Sequence, residues 1–269
     1  YTYTADQSAA DDLDASDTVT DSFTYTISDG TATDTATITI TITGVNDAPV
    51  ATNDAGSVNE DATLSVSNGS GDIIDNNDTD ADDSASLVVS AVRIGGVEGS
   101  GNAGTVGQAL TGTYGQLTLN ANGSYSYVAN QDAADDLDAS DQVTDVFNYT
   151  LSDGTATDTA TITITVTGIN DAPVADNETG AVNEDATLTV TDGTSDVLHG
   201  DTDADDSASL TVSAIRTGAE DGSGTSGSIG SGLTGTYGTL TLASDGTYTY
   251  VADQSAADDL DASDTATDV

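Results

Sequence analysis

Aspartate-rich clusters recur along this chain of 269 residues, at spacings suited to holding a cation. The densest is DTDADDS at 78–84, which returns unchanged at 201–207. VNEDATL stands at 58–64 and again at 182–188. ADDLDASD stands at 10–17, 134–141 and 257–264. A fourth element, G-[VI]-N-D-A-P, occupies 44–49 and 168–173. An alternating Asp-x-Asp-x-Asp run puts carboxylates close enough to share one cation, and without a cation they repel one another. All-oxygen donors of this kind suit calcium. The run is not an EF-hand loop. The sixth residue from Asp78 is Asp83 rather than glycine, and the twelfth is Val89 rather than glutamate. The glycine-rich nonapeptides of calcium-binding β-helices are absent too.

Composition points the same way. There are 47 acidic residues against 2 basic ones, a net charge of −45. Only Glu60, Glu98, Glu178, Glu184 and Glu220 are glutamates; the other acids are aspartates. Aspartate is short, favours turns and keeps its carboxylate near the backbone. An acidic surface adapted to salt is compatible with this reading. Nucleic acid and anionic membrane call for basic patches, so neither is an expected partner. The only cations, Arg93 and Arg216, occupy equivalent repeat positions and read as structural. Without lysine there is no lysine–asparagine crosslink and no Schiff base. Without cysteine there are no disulfides, thiolate metal sites or thiol nucleophiles, which leaves metal ions as the obvious staple.

No catalytic constellation emerges. His199 is the only histidine, and the matching segment near Asp75 and Asn76 has none, so it reads as a solvated loop residue. Paired carboxylates can hydrolyse glycosides. That needs a cleft with aromatic platforms, and tryptophan is missing. One active site is also not copied in tandem. The expectation is a protein that is not an enzyme.

The elements that position these clusters repeat with them. GVNDAPVA at 44–51 returns as GINDAPVA at 168–175, and YTYTADQSAADDLDASD at 1–17 returns with few changes at 125–141 and 248–264. The repeat is domain-sized, well beyond the roughly 20–50 residues of a solenoid unit. The expected division is 1–46, the end of one repeat; 47–170, a complete repeat; and 171–269, the start of a third. The chain thus reads as a window on a longer array, with export signals outside it. It has no apolar run long enough for a membrane helix.

Within 47–170 the strand signals are period-2 alternations. In TATITITVT at 159–167, Ile162, Ile164 and Val166 share one face. Further strands are expected at 56–59, 62–67, 87–94, 116–120, 124–128 and 145–152. Asn122-Gly123 marks a hairpin, and Asp153-Gly154 reads as a turn, with ligation the alternative. Residues 132–140 could make one short helical turn. Tyr125 and Tyr127 read as core residues, and the glycine-rich stretch 95–107 as a long flexible loop. The fold class is all-β: tandem immunoglobulin-like antiparallel β-sandwich domains of about seven strands each.

TLSDGTATDTATITITVTGINDAPVA, with VNEDATL and the NGSYSYV hairpin, resembles the VCBS repeats of giant bacterial RTX-type surface adhesins over nearly the whole chain. In order and spacing the clusters are also similar to those of cadherin domains. That resemblance implies calcium at domain junctions. The early glutamate would be Glu60 or Glu184, and the DxD pair Asp80 and Asp82 or Asp203 and Asp205. LDASD would supply Asp138 and Asp141, or Asp14 and Asp17 one repeat earlier. The exit would supply Asn170, Asp171 and Pro173, or Asn46 and Asp47. Two departures stand out. LDASD has its second acid one residue later than the cadherin LDRE, and GIND lacks the first carboxylate of DxND.

Taken together, the expectation is a calcium-stiffened, non-enzymatic extender of a secreted bacterial surface adhesin, whose partners are adjacent repeats of one long chain. Two alternatives stay open. One is a structural subunit of an extracellular filament or matrix, with other copies as partners. The other is a glycan- or protein-binding module using its variable glycine-rich loop.

Overall fold

Threonine alternates with isoleucine and valine through 159–167, and β-branched side chains favour extended backbone. In the computed structural model this segment is the centre of a sandwich. The structure describes residues 1–69, 71–75, 77–82, 85–191, 195–205, 207–220 and 222–269. The chain divides into two compact units, Tyr1–Ile169 and Asn170–Val269.

Unit 1 begins with a single helical turn, α1 (Ser8–Asp11), and a long hairpin, β1 (Thr18–Ser28) and β2 (Thr33–Thr43). Then come β3 (Asp54–Asn59), β4 (Thr63–Val66), β5 (Val88–Ile94), β6 (Ala109–Thr111), β7 (Gln116–Leu119), β8 (Tyr125–Val128), α2 (Asp132–Asp135), β9 (Gln142–Ser152) and β10 (Thr157–Thr167). β3–β10 form two sheets, ordered β3-β10-β9-β5 and β4-β8-β7-β6. Every pairing is antiparallel except β3 beside β10, which runs parallel. The short β6 is an eighth strand that the alternation does not reveal. It spans three residues, and Leu110 opposite Leu117 is the middle pair of its register.

The faces follow the period-2 rule. Ile162, Ile164 and Val166 are fully buried, as are Phe147, Tyr149 and Leu151 on β9. Leu117, Leu119, Tyr125 and Tyr127 face them from the second sheet. Tyr127 meets Phe147 edge to face with ring centroids 6.4 Å apart, a pairing worth about 0.5–1.5 kcal/mol beyond its buried area. The β7–β8 hairpin turns at Gly123, with φ +86°, where a Cβ would lie 2.6 Å from the Asp72 carboxylate.

The glycine-rich stretch 95–107 is not loose. Asn148, 1 % exposed, accepts from the Gly99 amide at 3.1 Å and donates to the Gly95 and Ser100 carbonyls at 2.8 and 3.0 Å. A single β9 side chain thus staples the loop, which corrects the flexible reading.

Unit 2 contains β11 (Thr187–Val190), β12 (Ile215–Arg216), β13 (Ser226–Gly227), β14 (Leu233–Thr234), β15 (Thr239–Leu242), β16 (Tyr248–Val251) and the single-turn α3 (Ser255–Asp258). Its four-stranded sheet, β11-β16-β15-β14, repeats the order β4-β8-β7-β6. Among the described residues of the whole chain, no helix is long and apolar enough to cross a membrane.

Candidate metal centre

In unit 1 the exit element of the first repeat lies against the DxD run. Val50 and Thr79 exchange backbone hydrogen bonds at 2.8 and 3.1 Å, fixing the segment 46–50 beside 78–82. The Asp47 amide donates to Asp82 Oδ2 at 3.1 Å, and the Asp82 amide donates to Asp80 Oδ1 at 3.1 Å. Asn46 donates to the Asp47 carbonyl and, at 2.9 Å, to Asp153 Oδ2. Asp78 Oδ1 accepts from the Thr52 amide at 2.7 Å.

The other oxygens of these aspartates carry the chemistry. Asp78 Oδ2, Asp80 Oδ2 and Asp82 Oδ1 are shielded from solvent and accept no hydrogen bond among the described residues. A carboxylate oxygen out of water needs a donor or a cation. Burial pushes the Asp82 carboxyl above its usual range, and the negative charges of Asp80, Asp47 and Asp14 push it further. Burial likewise raises Asp78, with a contribution from Asp158. The donors are hard oxygens bearing several negative charges, and that set fits calcium.

The LDASD elements are clamped to the chain just before each exit. The Gly44 amide donates to the Asp17 carbonyl and the Asp17 amide to the Asp14 carbonyl, both at 2.9 Å. A Cβ on Gly44 would lie 2.3 Å from the Asp14 carbonyl oxygen. One repeat later, Gly168, Asp141 and Asp138 reproduce the arrangement, and a Cβ on Gly168 would lie 2.2 Å from the Asp138 carbonyl oxygen. Glu60 reaches the same end of β10: it is 1 % exposed, and its Oε1 accepts from the Ile169 amide at 2.5 Å.

In unit 2 the Asp171 amide donates to Asp205 Oδ2 at 3.2 Å and the Asp205 amide to Asp203 Oδ1 at 3.1 Å. Val174 pairs with Thr202 as Val50 does with Thr79. Asn170 and Glu184 are exposed. Asp83 and Asp206 of the two DTDADDS runs lie outside the described residues.

Two features escape a reading of the sequence alone. Asp153 closes the turn after β9 by accepting from the Thr155 and Ala156 amides at 2.6 and 2.7 Å, while its other oxygen faces Asn46. The Ala156 amide first, then Asn46, hold its carboxyl below the usual range. Turn chemistry hid that second contact. In unit 2, ligand atoms of Asp176, Glu178 and Asp201 lie within 4.8 Å of one another. Burial and the Asp176 side chain push Glu178 up to about 7. These residues replace Thr52, Asp54 and Asp78 of the preceding repeat, and aligning the repeats exposes the change.

The model of the bacterial cadherin-like domain matches residues 46–168 and 170–269. No curated protein matches. Among solved structures, an endo-fucoidan hydrolase of glycoside hydrolase family 107 is 12 % identical over 88 % of this chain, with a TM-score of 0.26. The chain spans 30 % of that protein. The protocadherin GammaB4 extracellular domain is 16 % identical over 87 % of this chain and 31 % of its own, with a TM-score of 0.42. Cadherin domains 3–6 of protocadherin Gamma B2 are 13 % identical over 87 % of this chain and 51 % of their own, with a TM-score of 0.35. With two successive matches covering nearly all of its length, the chain belongs to the bacterial cadherin-like domain family.

Proposed function

We propose that this chain is a calcium-stiffened extender from a secreted bacterial surface adhesin of the RTX type, with no enzymatic role of its own. Residues 1–46 are the end of one repeat, 47–170 a complete one and 171–269 the start of another. The observation that carries the reading is the group of shielded, donor-poor oxygens on Asp78, Asp80 and Asp82, beside the exit residues Asn46 and Asp47. Asp80, Asp82, Asp47 and Asn46 would hold calcium together with Asp14 and Asp17 from the preceding LDASD, and Asp153 joins them through Asn46. Bound calcium supplies positive charge that offsets the mutual repulsion of these carboxylates. Glu60, Asp138 and Asp141 at the end of β10 are a second donor set; in unit 2, Asn170, Asp171, Asp203 and Asp205 repeat Asn46, Asp47, Asp80 and Asp82, and Glu184 repeats Glu60. A bridged connection holds successive domains in one orientation, which lets an array carry a binding tip away from the cell.

The test is small-angle scattering of a three-repeat array with calcium and with excess chelator. A longer, narrower particle with calcium is expected. Equal maximum dimensions would refute the stiffening.

A further inference from the structure

The complete repeat begins and ends on two strands that lie side by side. β3, its first strand, pairs with β10, its last, and the pairing is parallel. Asp54 stands opposite Ile162, and Asn59 opposite Thr167. β3 is also an edge strand of its sheet, so β10 is its one neighbour there.

That topology fixes how tension acts on the repeat. A pull along an array draws β3 toward its N-terminus and β10 toward its C-terminus. Because the strands run parallel, the two directions oppose each other along one line, and the ladder is sheared. The bonds of a parallel ladder are evenly spaced. All of the pairs from Asp54 to Asn59 therefore resist together. An antiparallel neighbour would be pulled from one end and would open pair by pair.

Bonds outside the ladder lengthen the sheared zone. Ahead of β3, the Ala51 amide donates to Asp158 Oδ2 at 2.9 Å. Asn53 Oδ1 accepts from the Thr161 amide and hydroxyl at 2.8 and 2.9 Å. Past β3, the Glu60 amide donates to the Thr167 carbonyl at 3.0 Å, and the Ile169 amide donates back to Glu60 Oε1. Hydrogen bonds thus join 51–60 to 158–169, a longer stretch than the six residues of β3. The exit is tied again where the Gly168 amide donates to the Asp141 carbonyl at 2.9 Å and the Ser140 amide to the Gly168 carbonyl at 3.1 Å. Asn53 and Glu60 recur as Asn177 and Glu184 in the next repeat.

We propose that the β3–β10 pair is a shear clamp, which makes each repeat a link that bears tension along the array without unfolding. The clamp rests on the reading of repeats as links in a longer array. Its bonds join protein groups to one another, so it is separate from the stiffening of junctions by calcium.

The test is single-molecule pulling of the 269-residue chain between introduced thiols, since the chain has no cysteine of its own. Val45, Thr155 and Ala172 are exposed and serve as attachment points. Val45→Cys with Ala172→Cys loads the repeat end to end and shears the ladder. Val45→Cys with Thr155→Cys loads the same bonds from one end, because Thr155 directly precedes β10 and Asn46 lies against Asp153. Forced unfolding is governed by the unfolding rate along the pulled direction. The force between 45 and 172 should be several-fold higher than that between 45 and 155. Its rupture should release about 400 Å of chain, the extended length of the repeat less its folded span. Asn53→Ala should lower the end-to-end force.

Each measurement is made with calcium and with excess chelator. A direction dependence present in both conditions supports the clamp, whatever scattering shows about stiffening. Equal forces along the two directions would overturn it. A direction dependence that appears only with calcium would assign the resistance to the ion and overturn the clamp, while leaving the calcium reading intact. An end-to-end force unchanged in Asn53→Ala would overturn the part given to Asn53.

Discussion

Replacing Asp82 with asparagine should have opposite effects with and without calcium. The carboxylate has one oxygen on the Asp47 amide and one shielded oxygen that has no donor among the described residues, and Asp80, Asp47 and Asp14 act on it with like charge. In chelator the substitution removes that repulsion and keeps an acceptor for the Asp47 amide, so the melting temperature should hold or rise. With calcium it removes a ligand of the proposed site. Extracellular calcium modules bind at about 10⁻⁴–10⁻³ M. Calcium at a hundredfold excess over its Kd stabilises the native state by about 2.7 kcal/mol. For a unit of this size that corresponds to a rise of roughly 5–11 °C. Asp82→Asn should lose most of that rise. Differential scanning calorimetry of wild type and variant, each with calcium and with chelator, gives the four numbers required. An equal drop in both conditions would show that Asp82 is a structural acceptor, and the ligand argument would fail.

Other consequences can be checked alongside. Asp145, 4 % exposed, accepts from the amides of Thr113, Tyr114 and Gly115 and from the Tyr127 hydroxyl, so Asp145→Ala strands four donors; urea melts should show a loss of about 3–5 kcal/mol whether or not calcium is present. Asp268 repeats this latch in unit 2. Burial there opposes ionisation, but bonds from the Tyr250 hydroxyl and the amides of 236–238 outweigh it and hold the carboxyl below its usual 3.8. Its contribution is present above the unfolded value and lost as pH falls through the lower folded one, so unit 2 should loosen below about pH 4 by hydrogen exchange, and Asp268→Asn should flatten that dependence. Asp78 and Asp82 have the opposite sign. Their raised folded values favour the native state at low pH, and that contribution is lost as pH rises through them. Calcium titrations should therefore show affinity weakening on acidification toward those values, with protons released on binding. Gly168→Ala places a Cβ against the Asp138 carbonyl and should destabilise unit 1 and disturb the Asp138–Asp141 loop, read by calorimetry and by backbone amide shifts at 138–141.

Strand content was legible because its cause is local. Alternation through Ile162, Ile164 and Val166 needs only one buried face, and that face is buried. Tyr125 and Tyr127 followed from the same rule. β6 was not legible, since three residues carry no period and their pairing with β7 is tertiary. The glycine-rich loop misled for a related reason. Glycine signals conformational freedom, while the residue that removes it, Asn148, lies more than 40 positions away. The candidate centre was legible as clusters. Its distant contacts, Asp153 to Asn46 and Glu60 to Ile169, join residues more than 100 apart in sequence and leave no spacing to read.

The aspartates themselves separate into two kinds once their donors are followed. Asp72 is fully buried and accepts from the amides of Gly69, Ile74 and Asp75 at 2.7, 3.0 and 3.1 Å. Asp145 is similarly saturated by three amides and a hydroxyl. Such carboxylates are structural: backbone amides, joined at Asp145 by the Tyr127 hydroxyl, supply their donors, and a cation would have to compete for the same lone pairs. Among the described residues, Asp80 and Asp82 each receive a single amide on one oxygen, and on each the other oxygen is shielded with no donor. Burial is thus shared by the two kinds, and donor supply divides them. A chain with two cationic side chains cannot make good that deficit with ion pairs at every junction. An ion taken from solution can, and this links the acidic composition to the spacing of the motifs. Substituting a saturated aspartate should cost stability in any buffer, whereas substituting a donor-poor one should cost it only when calcium is present.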